Sequence, residues 1–309
     1  MFIVAGEALI DLMARSDGSY APAPGGAPYN FTRALALQGI SAAYLNPLSD
    51  DRFGQLLRGG LDDAGVRRLG GMSTKPTSLA VVSANEQGQP SYSFYRTAVA
   101  DRDLTASALI TAIDASTSGF HTGGLALLPP DHEVALAGLR HARERGVLRT
   151  VDVNVRPQVA QSLGVTLEHY RDAVFSVMRE ADVLKVSDED LLHLGLQSTP
   201  QEAARELLSA GARLVVLTLG ASGAWVISRE HEVFQSADHV TVIDTVGAGD
   251  CFFAGFVASL LRNTGDRSPL HPMPTADLLT RSLSHATRCA AINISRQGCQ
   301  PPTWDEAVA

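Results

Sequence analysis

DTVGAGDCFFAGF, residues 244–256, sets a Gly-Ala-Gly run and an aspartate at the mouth of an apolar helix. An ordinary helix start is satisfied by one capping side chain, so Asp250 as a simple cap is the plain alternative. Val246 to Gly249 reads as a tight turn without large side chains. Phe252, Phe253, Phe256, Val257, Leu260 and Leu261 then form one helical face. Glycines let successive N–H groups converge at the helix N-terminus, which makes an anion site. Asp250 stands in that positive end, which favours its ionised form. A cradle of N–H groups beside a carboxylate suits phosphoryl transfer: the amides hold charge on the transferring group while Asp250 accepts the proton of an attacking hydroxyl. VTVID (240–244) reads as the strand that feeds the turn.

Outward from this motif, short apolar runs alternate with helical patterns. FIVAG (2–6), AAYLN (42–46), SGFHT (118–122), LRTVDVN (148–154), DVLKVS (182–187) and RLVVLTLG (213–220) read as strands. Several are near-continuous aliphatic runs, as in strands covered on both faces. Between them the spacing predicts helices over 30–38, 131–145, 168–180 and 200–210. This alternation predicts an α/β fold with a mostly parallel, doubly wound sheet. Two stretches break it. Residues 9–26 carry an SDG turn and a Pro-Gly-rich exit, and 77–96 read as two strands around an EQGQP turn (86–90). Together they predict a small second sheet, a lid over about 9–27 and 77–101, on one domain spanning 1–309.

Composition narrows the chemistry. The 309 residues carry a formal charge of −8, with 45% hydrophobic and 19% charged residues, which argues against a nucleic-acid or membrane surface. The longest apolar run, Cys251 to Leu261, is far shorter than the ~20 residues of a membrane span. Cys251, Cys289 and Cys299 form no CxxC pair, so free thiols and a cytoplasmic location are expected. Neither lysine, Lys75 or Lys185, ends a GxxxxGK[ST] loop. HExxH and GxSxG are absent, and GAGDCF has Phe252 where a dinucleotide fingerprint needs its third glycine.

DTVGAGDCFFAG (244–255) resembles the C-terminal signature of the ribokinase-like, or PfkB, carbohydrate kinases, D-T-x-G-A-G-D-x-F-x-x-G. PGGAPYN (24–30) is similar to their sugar-binding motif. GEALIDL (6–12), FYR (94–96), DVNVRP (152–157), KVSDEDL (185–191) and TLGASG (218–223) follow in family order. The resemblance implies a ribokinase-like three-layer sandwich that moves phosphate from ATP, with Mg²⁺, to a sugar hydroxyl. It makes Asp250 the base and the amides of Gly247, Ala248, Gly249 and Asp250 the anion hole. It assigns Asp11, Gly25, Gly26, Asn30, Phe94, Arg96 and Arg156 to the sugar. Lys185, Ser187, Thr218, Gly220, Gly223, Gly247 and Gly249 fall to the nucleotide, with Asp152 in the phosphate neighbourhood and Asp190 toward the metal through water. Four positions depart from the pattern. The family's N-x-x-E stands here as Ser187-Asp188-Glu189-Asp190, while Thr287 and Cys299 replace a usual Asn and Ala. K⁺ dependence is left open, as is pairing of lids into a homodimer.

For the acceptor, SYSFYRTAVADRDLT (91–105) and KVSDEDL look most like fructokinases acting on the 6-hydroxyl of fructose. A sugar phosphate calls for several cations in one pocket, and only Arg96 and Arg156 are in prospect. 2-Keto-3-deoxygluconate, whose carboxylate pairs with an arginine, is the close alternative, with ribose or a nucleoside behind it. A non-catalytic sugar or nucleotide sensor is the alternative from another class.

Overall fold

The computed structural model describes residues 1–15, 17–84, 90–264 and 270–309, and the side chains of 83, 84 and 90–92 are not among those described. Nine strands form the main sheet, in the spatial order Glu232–Gln235, Ala224–Ile227, Leu214–Thr218, Val183–Ser187, Leu148–Asp152, Gly119–Gly123, Phe2–Val4, Ala42–Tyr44 and Arg67–Arg68. From Leu214–Thr218 to Arg67–Arg68 the pairing is parallel; the last two strands at the other edge run antiparallel.

Period-two alternation loads both faces with apolar side chains. Phe2, Val4, Leu214 and Val216 pack under helices Ala27–Leu37, Ala248–Thr264 and Ala276–Ile294, with Phe31, Phe253 and Phe256. Ile3, Val215 and Leu217 face the opposite layer, where Leu139, Val177 and Leu207 come from helices His132–Glu144, Leu167–Met178 and Pro200–Ala210. The three-layer α/β sandwich expected from the alternation is present.

The chain leaves its first strand, Phe2–Val4, toward one edge and returns on its other side at Gly119–Gly123. This is the topological switch point, where the carboxyl ends of open α/β sheets leave a crevice. A second sheet, ordered Tyr20–Gly25, Leu9–Ala14, Ser78–Ala84 and Pro90–Tyr95, contributes Asp11, Val82 and Phe94 to the same crevice. Its outer pairs are antiparallel and its central pair is parallel. Most of the EQGQP turn and Ser16 of the SDG turn lie outside the described residues.

Two local expectations are corrected. VTVID is not a strand: the Ile243 and Asp244 N–H groups both donate to the Ile294 carbonyl, at 2.8 and 3.2 Å, at the end of helix Ala276–Ile294. Its apolar pattern lies on the surface, with Val242 57% and Ile243 58% exposed. The helix expected from Asn30 starts at Ala27, because Pro28 sits in its first turn, where a missing N–H costs nothing.

Candidate active site

The crevice encloses a cavity of about 340 Å³ bounded by Asp11, Gly26, Asn30, Phe94, Arg156, Lys185 and the loop from Thr245 to Asp250. That volume suits a small polar ligand. The loop is built by backbone economy. Gly247 has φ +73°, and a Cβ there would collide with Cys299 Sγ, so glycine is required twice over. Ala248 N–H turns back to the Thr245 carbonyl at 3.2 Å, and Cys251 N–H reaches the Gly247 carbonyl at 2.9 Å. Gly249 and Asp250 N–H have no acceptor among the described residues. The cradle is therefore narrower than the four amides expected, since Ala248 N–H is already used.

Asp250 begins helix Ala248–Thr264 and is 9% exposed. Asn30 Nδ2 donates to its Oδ2 at 2.9 Å. The helix end alone favours the ionised carboxylate, but burial, and next the charge of Asp152, push Asp250 up to about 7. The Asn30 hydrogen bond, Lys185 and Arg156 pull the other way. The expectation of a simply ionised aspartate is thus corrected: desolvation outweighs the dipole. Asn30 Nδ2 is the atom turned toward Gly247 and Asp250, while its Oδ1 is buried without a partner among the described residues.

Lys185 Nζ, from strand Val183–Ser187, donates to both Asp152 oxygens at 2.9 and 3.0 Å. Burial lowers the Lys185 pKa, but Asp152, Asp190 and Asp250 more than reverse this, so the ammonium is retained. A Cβ on Gly249 would stand 3.1 Å from Nζ, which places the lysine against the cradle. Asp11 comes from the second sheet, and burial raises it to about 6 against the pull of Arg156. Gly25 packs on Asp11, leaving no room for a side chain.

Other expected residues lie elsewhere. Arg96 does not line this cavity: it is 3% exposed, donates to Asp101 Oδ2 at 3.1 Å, and stands 3.8 Å from Asp131. It borders a smaller cavity of about 60 Å³ with Asn46, Asp101 and Asp131. The motif order located Arg96 along the chain, but Asp101, five residues on, draws it away. Asp190 is likewise committed. Its Oδ1 accepts Val155 N–H and its Oδ2 accepts Ser187 N–H, each at 2.8 Å, while Ser187 Oγ caps Asp190 N–H at 3.0 Å. This capping box is a structural role for the shortened N-x-x-E position. Thr218, Gly220 and Gly223 sit where strand Leu214–Thr218 ends, beside Ser187 and outside the cavity, on the same side of the sheet.

Sequence reading passed over two participants. Glu7, 4% exposed, lies three residues past the end of strand Phe2–Val4, and Asn154 lines the cavity with φ +38°. Asn154 had a signal in DVNVRP, because asparagine tolerates the left-handed region better than most residues. Glu7 stood in the GEALIDL stretch that carries part of the resemblance, but nothing local assigned it a role. Among the described residues, no cluster of three or more His, Cys, Asp or Glu side chains is placed to hold a metal ion.

A ribokinase-like sandwich whose crevice joins a glycine-built helix start to a near-neutral aspartate defines a carbohydrate-kinase class of molecule. The chain matches the pfkB family carbohydrate kinase model over residues 1–306. It is 30% identical over 313 residues to Fructokinase-1 of Zea mays, covering 98% of this chain and 94% of that protein. The structure of a fructokinase with bound ATP from Xylella fastidiosa superposes with a TM-score of 0.86 at 26% identity, covering 99% of this chain and 97% of that one. A Vibrio cholerae O395 fructokinase in a fructose-, ADP- and calcium-bound form gives 0.81 at 27%, covering 96% and 94%. The chain belongs to the pfkB family of carbohydrate kinases.

Proposed function

We propose that this kinase phosphorylates fructose at its 6-hydroxyl, with Asp250 as the general base. The observation that carries the choice of acceptor is the fate of Arg96. With its charge met by Asp101 and Asp131, Arg156 and the Asp152-paired Lys185 are the cations lining the cavity, and Asp11 offsets Arg156. A cavity so balanced favours a neutral polyol over a keto acid or a sugar phosphate.

The primary hydroxyl of the sugar gives its proton to Asp250 as its oxygen bonds to the γ-phosphorus. The bond from that phosphorus to the β,γ-bridging oxygen breaks, and ADP leaves. Gly249 and Asp250 N–H take the charge on the transferring group, supported by Lys185. Asn30, Asp11 and Arg156 orient the sugar. The nucleotide lies along Ser187, Thr218, Gly220 and Gly223. The second sheet, about 9–27 and 77–101, acts as a lid that excludes water as a competing acceptor.

Among the described residues the donor set makes no all-protein cage for Mg²⁺, which fits an ion carried by ATP phosphates and waters. Asp152 is the carboxylate that would stand nearest it, since both Asp190 oxygens are taken by Val155 and Ser187 N–H. When bound, the ion neutralises charge developing between the β- and γ-phosphates. Exposed Tyr20 and Tyr95 on the two edge strands of the small sheet support pairing with a second copy. Three unpaired cysteines support a cytoplasmic location.

A coupled ADP-release assay with ATP and Mg²⁺ tests this on fructose, 2-keto-3-deoxygluconate, ribose and adenosine. Fructose is expected to give the highest kcat/KM. A preference for the keto acid would overturn the acceptor and make Arg156 the partner of a carboxylate.

A further inference from the structure

Helix Ala27–Leu37 begins without a cap of its own: its N-cap is Gly26, and no local side chain accepts its first N–H. The short 3₁₀ turn Gly124–Leu127 has the same gap behind Gly123. One buried carboxylate closes both. Glu7 Oε1 accepts Ala27 N–H at 3.3 Å, and Oε2 accepts Leu125 N–H at 3.1 Å. Both segments contribute to the cavity wall, and neither is near Glu7 in sequence. The fit leaves no slack. A Cβ on Gly26 would stand 2.5 Å from the Glu7 carbonyl oxygen, and one on Gly124 would stand 2.5 Å from Oε1.

We propose that Glu7 is the positioning residue of the acceptor side. By capping both segments it fixes helix Ala27–Leu37 in the rotation at which Asn30 meets Asp250. The chain of contacts runs from the Glu7 carboxylate to Ala27 N–H, through one helical turn to Asn30, and from Asn30 Nδ2 to Asp250 Oδ2. Burial raises the Glu7 pKa to about 7, while Arg96 and the Leu125 N–H pull it down, and the helix dipole likewise favours the ionised acceptor. A glutamine cannot replace it, because its amide offers one accepting oxygen and sets an NH₂ against the other N–H. The nucleotide strand ends, Ser187 and Thr218, lie outside this path.

The inference rests on reading the cavity as the acceptor site, so KM values for sugar and for ATP are measured with the sugar that the wild type turns over fastest. Melting temperature and binding of a non-hydrolysable ATP analogue verify that each variant folds. Glu7→Gln is expected to raise the sugar KM about tenfold or more while the ATP KM stays within about twofold. Combined with Asn30→Ala it should do little more harm than the worse single change, because both act on one contact. A parallel rise in both KM values, or effects that multiply, would overturn the proposal. If Glu7→Gln does not fold, Gly124→Ala displaces the same carboxylate while keeping its charge. It should show the same split, and an unchanged sugar KM would refute the assignment. A wild type inactive on every sugar defeats the acceptor reading itself, whereas an active wild type with indifferent variants defeats only the role of Glu7.

Discussion

Asp250 has the near-neutral ionisation a proton acceptor needs because it is buried beside Asp152. A base poised near the working pH combines a useful ionised fraction with real proton affinity. Replacing it by asparagine keeps the volume and removes the acceptor. Asp250→Asn should lower kcat by about 10²–10⁴-fold with ATP and sugar binding largely retained; near wild-type turnover would eliminate the base assignment. The pH profile follows with a definite sign. The active form is the carboxylate, so kcat/KM should fall as pH drops through about 7 and level off above it. In the asparagine variant the residual activity should lose this limb.

At the scale of elements, Asp190 ties the start of helix Asp188–Leu194 to the loop after strand Leu148–Asp152. Removing its charge leaves Val155 N–H or Ser187 N–H poorly met in a buried site, at a cost of about 1–3 kcal/mol. Asp190→Asn should therefore lower the melting temperature by several degrees while the Mg²⁺ concentration for half-maximal activity moves little. A large shift in Mg²⁺ requirement with unchanged stability would make Asp190 a metal ligand after all.

The same element shows what the amino-acid order made readable. Ser187 followed three residues later by Asp190 is an N-cap pattern visible in sequence, yet the distant Val155 N–H it also serves belongs to another strand's loop and has no local trace. The parallel core was legible because its strands are covered on both faces and read as unbroken apolar runs. The cradle was legible because glycine and helix periodicity are local. VTVID misled because an alternating apolar pattern without a partner strand looks the same as one that has it. Arg96 misled because its side was chosen by Asp101 and Asp131. The role of Glu7, though not its motif, was invisible because its two partners stand 20 and 118 residues away.

Across the whole molecule, one crevice collects three carboxyls raised by burial: Glu7 to about 7, Asp11 to about 6 and Asp250 to about 7. Their folded pKa values exceed their unfolded ones, so between about pH 4 and 7 the folded protein binds more protons than the unfolded chain. Their contribution to stability is present below the unfolded values and is lost as pH rises through 6 to 7. The ligand-free protein should therefore lose melting temperature between pH 5 and 8 in proportion to these groups. Asp250→Asn should be more stable than the wild type at pH 8, by a margin of about 1–4 kcal/mol, and the gap should close toward pH 5. A constant gap across that range would mean that burial does not shift Asp250. Function here opposes stability, as is common where charge is held ready in a dry site.

The loop that carries the cradle is held from behind. Asp244 accepts the Val246 N–H at 3.0 Å with one oxygen, and Gln297 Nε2 and Gly298 N–H at 2.9 and 2.8 Å with the other, while Asn293 Nδ2 donates to the Val246 carbonyl at 2.9 Å. During synthesis, the strands, the crevice and helix Ala248–Thr264 all emerge before residues 293–298. A chain cut before residue 293 would hold every reacting side chain without the brace that sets them in register, so its kcat is expected to be far below that of the full chain.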